Sequence, residues 1–135
     1  MATSLSESED AKDLLQLHER LLKVTLPTGN YDEYAAGCDP TITCFEPEAK
    51  GYLVKGLEFH KYYFPSSPTD ISAICSNTTI VDPSVRILAG GQSAVVAYTR
   101  LVQRPGGITT STNETRVYEK QDGKWISVHI HRSDA

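Results

Sequence analysis

The sequence predicts an α+β domain: a long helix near the N-terminus, then a meander of antiparallel strands. Three observations carry this. Ala11, Leu14, Leu15, His18, Leu22 and Thr25 mark one face of a helix, widened by Leu17, Leu21 and Val24. From residue 71 onward, segments rich in β-branched residues follow one another: ISAICSNTTIV, VRIL, SAVVAYTRLVQR, ITTSTNETRVYEKQ and KWISVHIHR. Turn-forming residues separate them, and Asp122-Gly123 has the composition of a two-residue hairpin loop. Such a layout can curl its sheet around the long helix into a cone with an open mouth. Side chains facing inward would then line a pocket.

The elements follow in order. Residues 1 to 8 read as a disordered acidic tail, and residues 9 to 135 as one domain. Ser6 and Glu9 have capping-box spacing at the start of the long helix. Pro27, Thr28 and Gly29 stop it. Asn30 caps a second, short helix through Tyr34 to Ala36, closed by Gly37. Asp39-Pro40 turns the chain into the strand TITCFE, and Glu46-Pro47-Glu48 interrupts that strand. Gly51 to Val54 reads as a short return strand. Gly56 opens the aromatic helix LEFHKYYF, which Pro65 ends, and PSSPTD is a loop. Asp82-Pro83, Gly90-Gly91 and Pro105-Gly106-Gly107 are read as breaks between the later strands.

A length of 135 residues suits a single domain with a real core. The net charge of −4 lacks the basic stripes of a nucleic-acid binder. No apolar run reaches the length of a membrane span. The polar start MATSLSESEDAKD is neither a signal nor a transit peptide, so the chain is expected in the cytoplasm. Cys38, Cys44 and Cys75 show no CxxC spacing and read as free thiols in a reducing compartment. In that setting the glycosylation-type triplets at Asn77 and Asn113 are coincidental.

Three arginines sit within the most β-prone stretches. Side chains two apart share a strand face, which groups Arg100 with Val96, Tyr98 and Val102, Arg116 with Glu114 and Tyr118, and Arg132 with Ile126, Val128 and Ile130. An arginine cannot shed its charge, so burying it requires partners. One reading is a set of ion pairs with Glu46, Glu48, Glu58 or Glu114. The other is a pocket whose guest is a carboxylate, the group that arginine grips in bidentate fashion.

His129 and His131 form an H-x-H beside Trp125 and Ser127, but zinc needs a third ligand that the sequence does not display, and no metal is assigned. Glu46, Glu48, Asp39 and His60 are the candidates for acid–base work. A cationic wall would hold a carboxylate ionised and paired, which makes a poor general acid. No GxSxG, HExxH or phosphate-loop motif appears. Tyr52, Leu53, Val54, Tyr62, Tyr63, Phe64 and Trp125 exceed what a small cone needs inside, and such residues are favoured at interfaces between subunits.

The segments CDPTITCFEPEAKGYLVKGLEFHKYYF, AYTRLVQ and ETRVYEKQDGKWISVHIHRS, in that order, resemble the association (hub) domain of calcium/calmodulin-dependent protein kinase II, over about residues 11 to 133. The resemblance implies a cystatin-like cone of the kind shared with nuclear transport factor 2 (NTF2), with no catalysis and no cofactor. It implies homo-oligomers of about a dozen or more subunits closed into two stacked rings. By motif it places Arg100, Arg116 and Arg132 deep in the cone as pocket residues. His60 of the FH motif lies at the same cavity, with Glu46 and Tyr34 as neighbours. Small carboxylates or acidic peptides are the implied guests. The family's usual tryptophan after ETRV is Tyr118 here, and Asn113 stands before Glu114 where the family has an acidic residue. These residues hold no kinase domain and no calmodulin-binding helix. The chain is therefore expected as a free-standing hub-like protein, or else a piece cut from a kinase, with a kinase partner in trans as one role. The alternative on the same fold is a dimeric NTF2-like small-molecule binder or isomerase-type enzyme.

Overall fold

The structure is a computed structural model that describes residues 5–26, 28–64 and 77–135. Helix α1 runs Leu5–Arg20 and so takes in residues 5–8, where the composition had suggested tail. Acidic residues at a helix start are favoured by the peptide dipoles. A π turn over Leu21–Thr25 continues it, and the Thr25 hydroxyl donates back to the Leu21 carbonyl. Helix α2, Tyr31–Ala36, starts where expected: the Asn30 side chain accepts from the Glu33 amide at 3.1 Å, and Gly37 closes the helix. The PSSPTD loop, Pro65 and Cys75 lie outside the described residues.

The strands are β1 (Cys38–Phe45), β2 (Val54–Lys55), β3 (Asn77–Leu88), β4 (Ser93–Arg104), β5 (Ile108–Gln121) and β6 (Lys124–Asp134). They form one sheet in the order β2-β1-β6-β5-β4-β3. Among the described residues every pairing is antiparallel except β1 with β6, which is parallel. The LEFHKYYF segment is a 3-10 helix over Leu57–Tyr63. Asp122 and Gly123 both have positive φ, as a type I′ hairpin loop requires, and join β5 to β6. Asp82-Pro83 does not end a strand. It forms a bulge between Val81 and Ser84 within the single strand β3, with Asp82 at φ 49°. Proline is tolerated there because β3 is an edge strand and the bulge removes one residue from the ladder.

Residues facing each other across a ladder share a sheet face. One such row on the inner face runs Cys44, Ile130, Arg116, Val96, Val85, and a second runs Cys38, Ser127, Tyr118, Ala94, Ile87. Onto this face α1, the π turn after it and α2 pack Leu14, Leu21, Leu22 and Tyr34, closing a core with Ile42, Tyr98 and Trp125. A bulge in the β5–β6 ladder at Val128 corrects the expected phasing of β6. The extra residue switches alternation, so Arg132 and Ile130 share the inner face with Ser127 and Trp125, not with Ile126 and Val128. The same switch separates His129 and His131 from Trp125 and Ser127.

Gly37 sits where α2 meets the sheet, and its carbonyl accepts from the Ser127 amide at 2.9 Å. A Cβ there would lie 2.9 Å from Leu21 Cδ2, and Leu21 is buried. Gly37→Ala is expected to cost about 1–3 kcal/mol through overpacking, read as a lower denaturation midpoint. Leu21→Val in the same background should recover part of the loss. No helix among the described residues is long and apolar enough to cross a membrane.

Candidate functional site

The inner face gathers charge in an otherwise apolar setting. Arg116, on β5, is 2% exposed. Its Nη2 donates to the Tyr34 hydroxyl at 3.0 Å and its Nη1 to Ser127 Oγ at 3.1 Å. Its guanidinium lies 5.7 Å from the Tyr34 ring centre. Among the described residues no carboxylate lies within salt-bridge reach of it, and its Nε has no hydrogen-bond partner. A buried cation held by neutral groups alone is costly.

The other two arginines are paired. Arg100 Nε donates to Glu114 Oε2 at 2.8 Å. Glu114 is buried and also accepts from the hydroxyls of Tyr98 and Thr112, each at 2.6 Å. Burial alone would raise the Glu114 carboxyl, but Arg100 and the two hydroxyls outweigh it and hold it below the usual carboxylate range. Arg132 donates through Nη2 to Glu48. Glu58 instead pairs with exposed Lys61 at 3.3 Å.

Two histidines flank Arg116. His60, on the 3-10 helix, places Nδ1 2.8 Å from the Tyr34 hydroxyl. His18, on α1, places Nδ1 2.7 Å from the Tyr118 hydroxyl and packs edge-on against Tyr98. Burial, then Arg116 and Arg132, pushes His60 down to about 4. Burial, then Arg116 and Arg100, pushes His18 down to about 3. Both are neutral at pH 7 and add no charge beside the guanidinium.

The structure thus brings Tyr34, His60 and Arg116 into one hydrogen-bonded chain. Arg132 acts on His60 electrostatically, and Glu46 lies beside His60 and Cys44. Arg100 joins through Glu114, whose ionisation Arg116 also favours. Asp39 is elsewhere: its carboxylate holds Thr41 and Gln121 at the surface. His129 and His131 face away, where His129 Nδ1 meets Thr43 Oγ1 at 2.7 Å and Phe45 packs on both rings. Trp125 is in the core, whereas Tyr52 is 77% exposed and Leu53 is exposed beside β2. The side chains of Tyr62 and Tyr63 lie outside the described residues. Sequence reasoning missed Ser127, His18 and Cys44 at this site. Helical phase had put His18 on the buried face, but nothing local marked its partner 100 residues away.

Comparison with known proteins gives one consistent result. A family profile described as the calcium/calmodulin dependent protein kinase II association domain matches residues 10–135. The chain is 40% identical over 138 residues to the Drosophila melanogaster calcium/calmodulin-dependent protein kinase type II alpha chain, covering 98% of this chain. It spans about a quarter of that relative's length (25%). Among solved structures it is similar to the Chlamydamonas reinhardtii CamKII hub homology domain, with 47% identity, TM-score 0.79, and 93% and 97% of the two chains covered. It is also similar to the association domain of C. elegans CaMKII, with 34% identity, TM-score 0.83, and 96% and 99% covered. At the level of fold alone it matches an NTF-2 like protein from Shewanella oneidensis (18% identity, TM-score 0.75, 91% and 98% covered). A protein with a cystatin-like fold from Caulobacter vibrioides matches likewise (17%, TM-score 0.70, 93% and 90% covered). The expected fold class is borne out.

Proposed function

The chain belongs to the calcium/calmodulin-dependent protein kinase II association-domain family, and from that premise we propose that it is a non-catalytic, self-assembling scaffold. Copies of it close into two stacked rings of about twelve or more subunits, in the cytoplasm, and present an arginine-lined pocket to a carboxylate or an acidic peptide. The observation that carries the reading is family membership across residues 10–135. Exposed Tyr52 and Leu53 beside the short edge strand β2 supply apolar surface for subunit contact. A groove on the outer face of the sheet, lined by Ala97, Thr99, Asn113, Thr115 and His131, supplies a polar one. A kinase partner in trans is the scaffold's proposed cargo.

Light scattering on the native protein tests assembly. With a chain mass of 14.9 kDa, the expected particle is about a dozen or more chains. A stable monomer overturns the ring, and a dimer would favour the isomerase-type reading, which a cationic site does not support.

The pocket is tested at Arg116. Among the described residues Arg116 has no carboxylate partner to leave stranded, and trading buried ionic groups for apolar ones of similar volume is often neutral or stabilising, so Arg116→Met is expected to leave the ligand-free protein folded. Acetate or a Glu-rich peptide at about 100 times its Kd should stabilise the wild type by ~2.7 kcal/mol, and Arg116→Met should lose that gain. If Arg116→Met instead unfolds the ligand-free chain, the arginine is structural and the pocket reading fails.

A further inference from the structure

Cys44, Glu46 and His60 bring one thiol, one carboxylate and one imidazole together in the interior. Their ligand atoms lie within 4.8 Å of one another, and all three residues are buried. The arrangement is built by the backbone. Cys44 ends its inner-face alternation on β1 next to Ile130, and Glu46 continues in extended conformation, so the two side chains two apart point the same way. The 3-10 helix Leu57–Tyr63, entered through Gly56 at φ 97°, lays His60 over them. The Gly56 amide donates to the Ile42 carbonyl at 2.8 Å, which anchors that helix to β1 just before Cys44.

We propose that Cys44, Glu46 and His60 form a site for one zinc-class divalent cation, with a fourth position left for water or a small ligand. Bonds of about 2.0 Å to nitrogen and oxygen and about 2.3 Å to sulfur place tetrahedral ligand atoms roughly 3.5 Å apart. The present ligand atoms, within 4.8 Å of one another, would draw in by about 1.3 Å at most to reach that spacing. The donor set selects the ion: thiolate and imidazole suit zinc and its soft neighbours and reject calcium and magnesium, which require oxygen ligands. The charge balance selects it further. Binding releases the Cys44 proton, so a dication meets a thiolate and a carboxylate and the site gains one positive charge. Arg116 and Arg132 lie close enough to act on Cys44 and His60, so the added charge meets repulsion that the metal–thiolate bond has to offset. The Tyr34 hydroxyl at 2.8 Å from His60 Nδ1 leaves ligation to Nε2 and fixes the ring, the second-shell contact that metal-bound histidines use. The site stands on this geometry, independent of the carboxylate reading, although it uses Glu46 and His60 of the proposed pocket.

Cobalt(II) added to the full chain, as a spectroscopic stand-in for zinc, tests the site. The expected result is one equivalent bound per chain, with a thiolate-to-cobalt charge-transfer band in the near ultraviolet and tetrahedral bands in the visible. Cys44→Ala and Cys44→Ser should abolish the charge-transfer band, whereas Cys38→Ala and His131→Ala should keep it. Tyr34→Phe should weaken binding about 10- to 100-fold as the loss of a second-shell contact. Absence of the band in the wild type, or a band that survives Cys44→Ala, overturns the proposal. The wild-type spectrum decides even if a variant fails to fold, and Arg116→Met, which tests the carboxylate pocket, should leave the band in place.

Discussion

Glu114→Gln should lower the free energy of unfolding by about 3–5 kcal/mol, the cost of breaking a buried ion pair from one side. Three donors converge on this carboxylate: Tyr98 on Oε1, and Arg100 and Thr112 on Oε2. Glutamine keeps the shape but has one acceptor oxygen. Whichever way the amide turns, its NH2 meets at least one donor, and Arg100 keeps its charge in a mostly buried position without a carboxylate. The measurement is urea denaturation of the variant beside the wild type. Arg100→Met combined with Glu114→Gln should recover much of the loss, because both charges then leave together. A single-variant cost below about 1 kcal/mol would show that the pair behaves as an exposed one.

Acid should destabilise the protein well before its carboxylates titrate. His18 is ordinary in the unfolded chain, with a pKa near 6.5, and is held at about 3 when folded, first by burial and then by Arg116 and Arg100. Below pH 6.5 the unfolded state therefore binds a proton that the folded state refuses. The contribution is complete above 6.5 and falls away as pH drops toward 3. At pH 5 the loss is on the order of 2 kcal/mol from His18 alone. His60, held at about 4, adds a loss of the same sign. The groups facing His18 are Tyr98, Tyr118, Arg100 and Arg116. Glu114, held low, withdraws its own contribution only below about 4.5. Denaturation midpoints between pH 7 and 4.5, with a chelator present, measure the slope. His18→Gln should flatten it by about one proton; an unchanged slope would mean that His18 titrates normally in the folded protein.

The local features of the fold were legible because their causes are local. Helical phase found α1, Asn30 and Gly37 bracketed α2, and Asp122-Gly123 specified its hairpin. What failed was phase over distance. A single extra residue at Val128 moved His129 and His131 to the opposite face from Trp125 and Ser127, and no composition signals such a bulge. Asp82-Pro83 read as a break because the sequence does not say which strand lies at an edge. At the site, strand alternation was enough to turn Arg100 and Arg116 inward. Glu114 and Glu48 stood among the candidate partners and do pair, with Arg100 and Arg132, but the sequence could not match each arginine to its partner, since Arg116–Tyr34 spans 82 residues and Arg132–Glu48 spans 84. Cys44 was invisible as a ligand for the same reason: His60 reaches it by the fold, not by spacing. The Tyr118 hydroxyl that meets His18 was not legible either, because its partner lies 100 residues away.

The parallel pairing of β1 with β6 fixes an order of events during synthesis. Residues 38–45 are made well before residues 124–134, yet the latter form β6, the main lateral partner of β1 among the described strands. Until then, among the described residues, β1 has the two-residue β2 beside it. The β3–β4–β5 meander can form as its hairpins emerge, whereas β1 must wait with one flank open, and late pairing of distant segments is slow. An unpaired strand flank invites pairing with another chain. Between the completion of β5 and the arrival of β6 the open flank of β1 is expected to be most exposed to wrong partners, and β6 closes the sheet between β1 and β5.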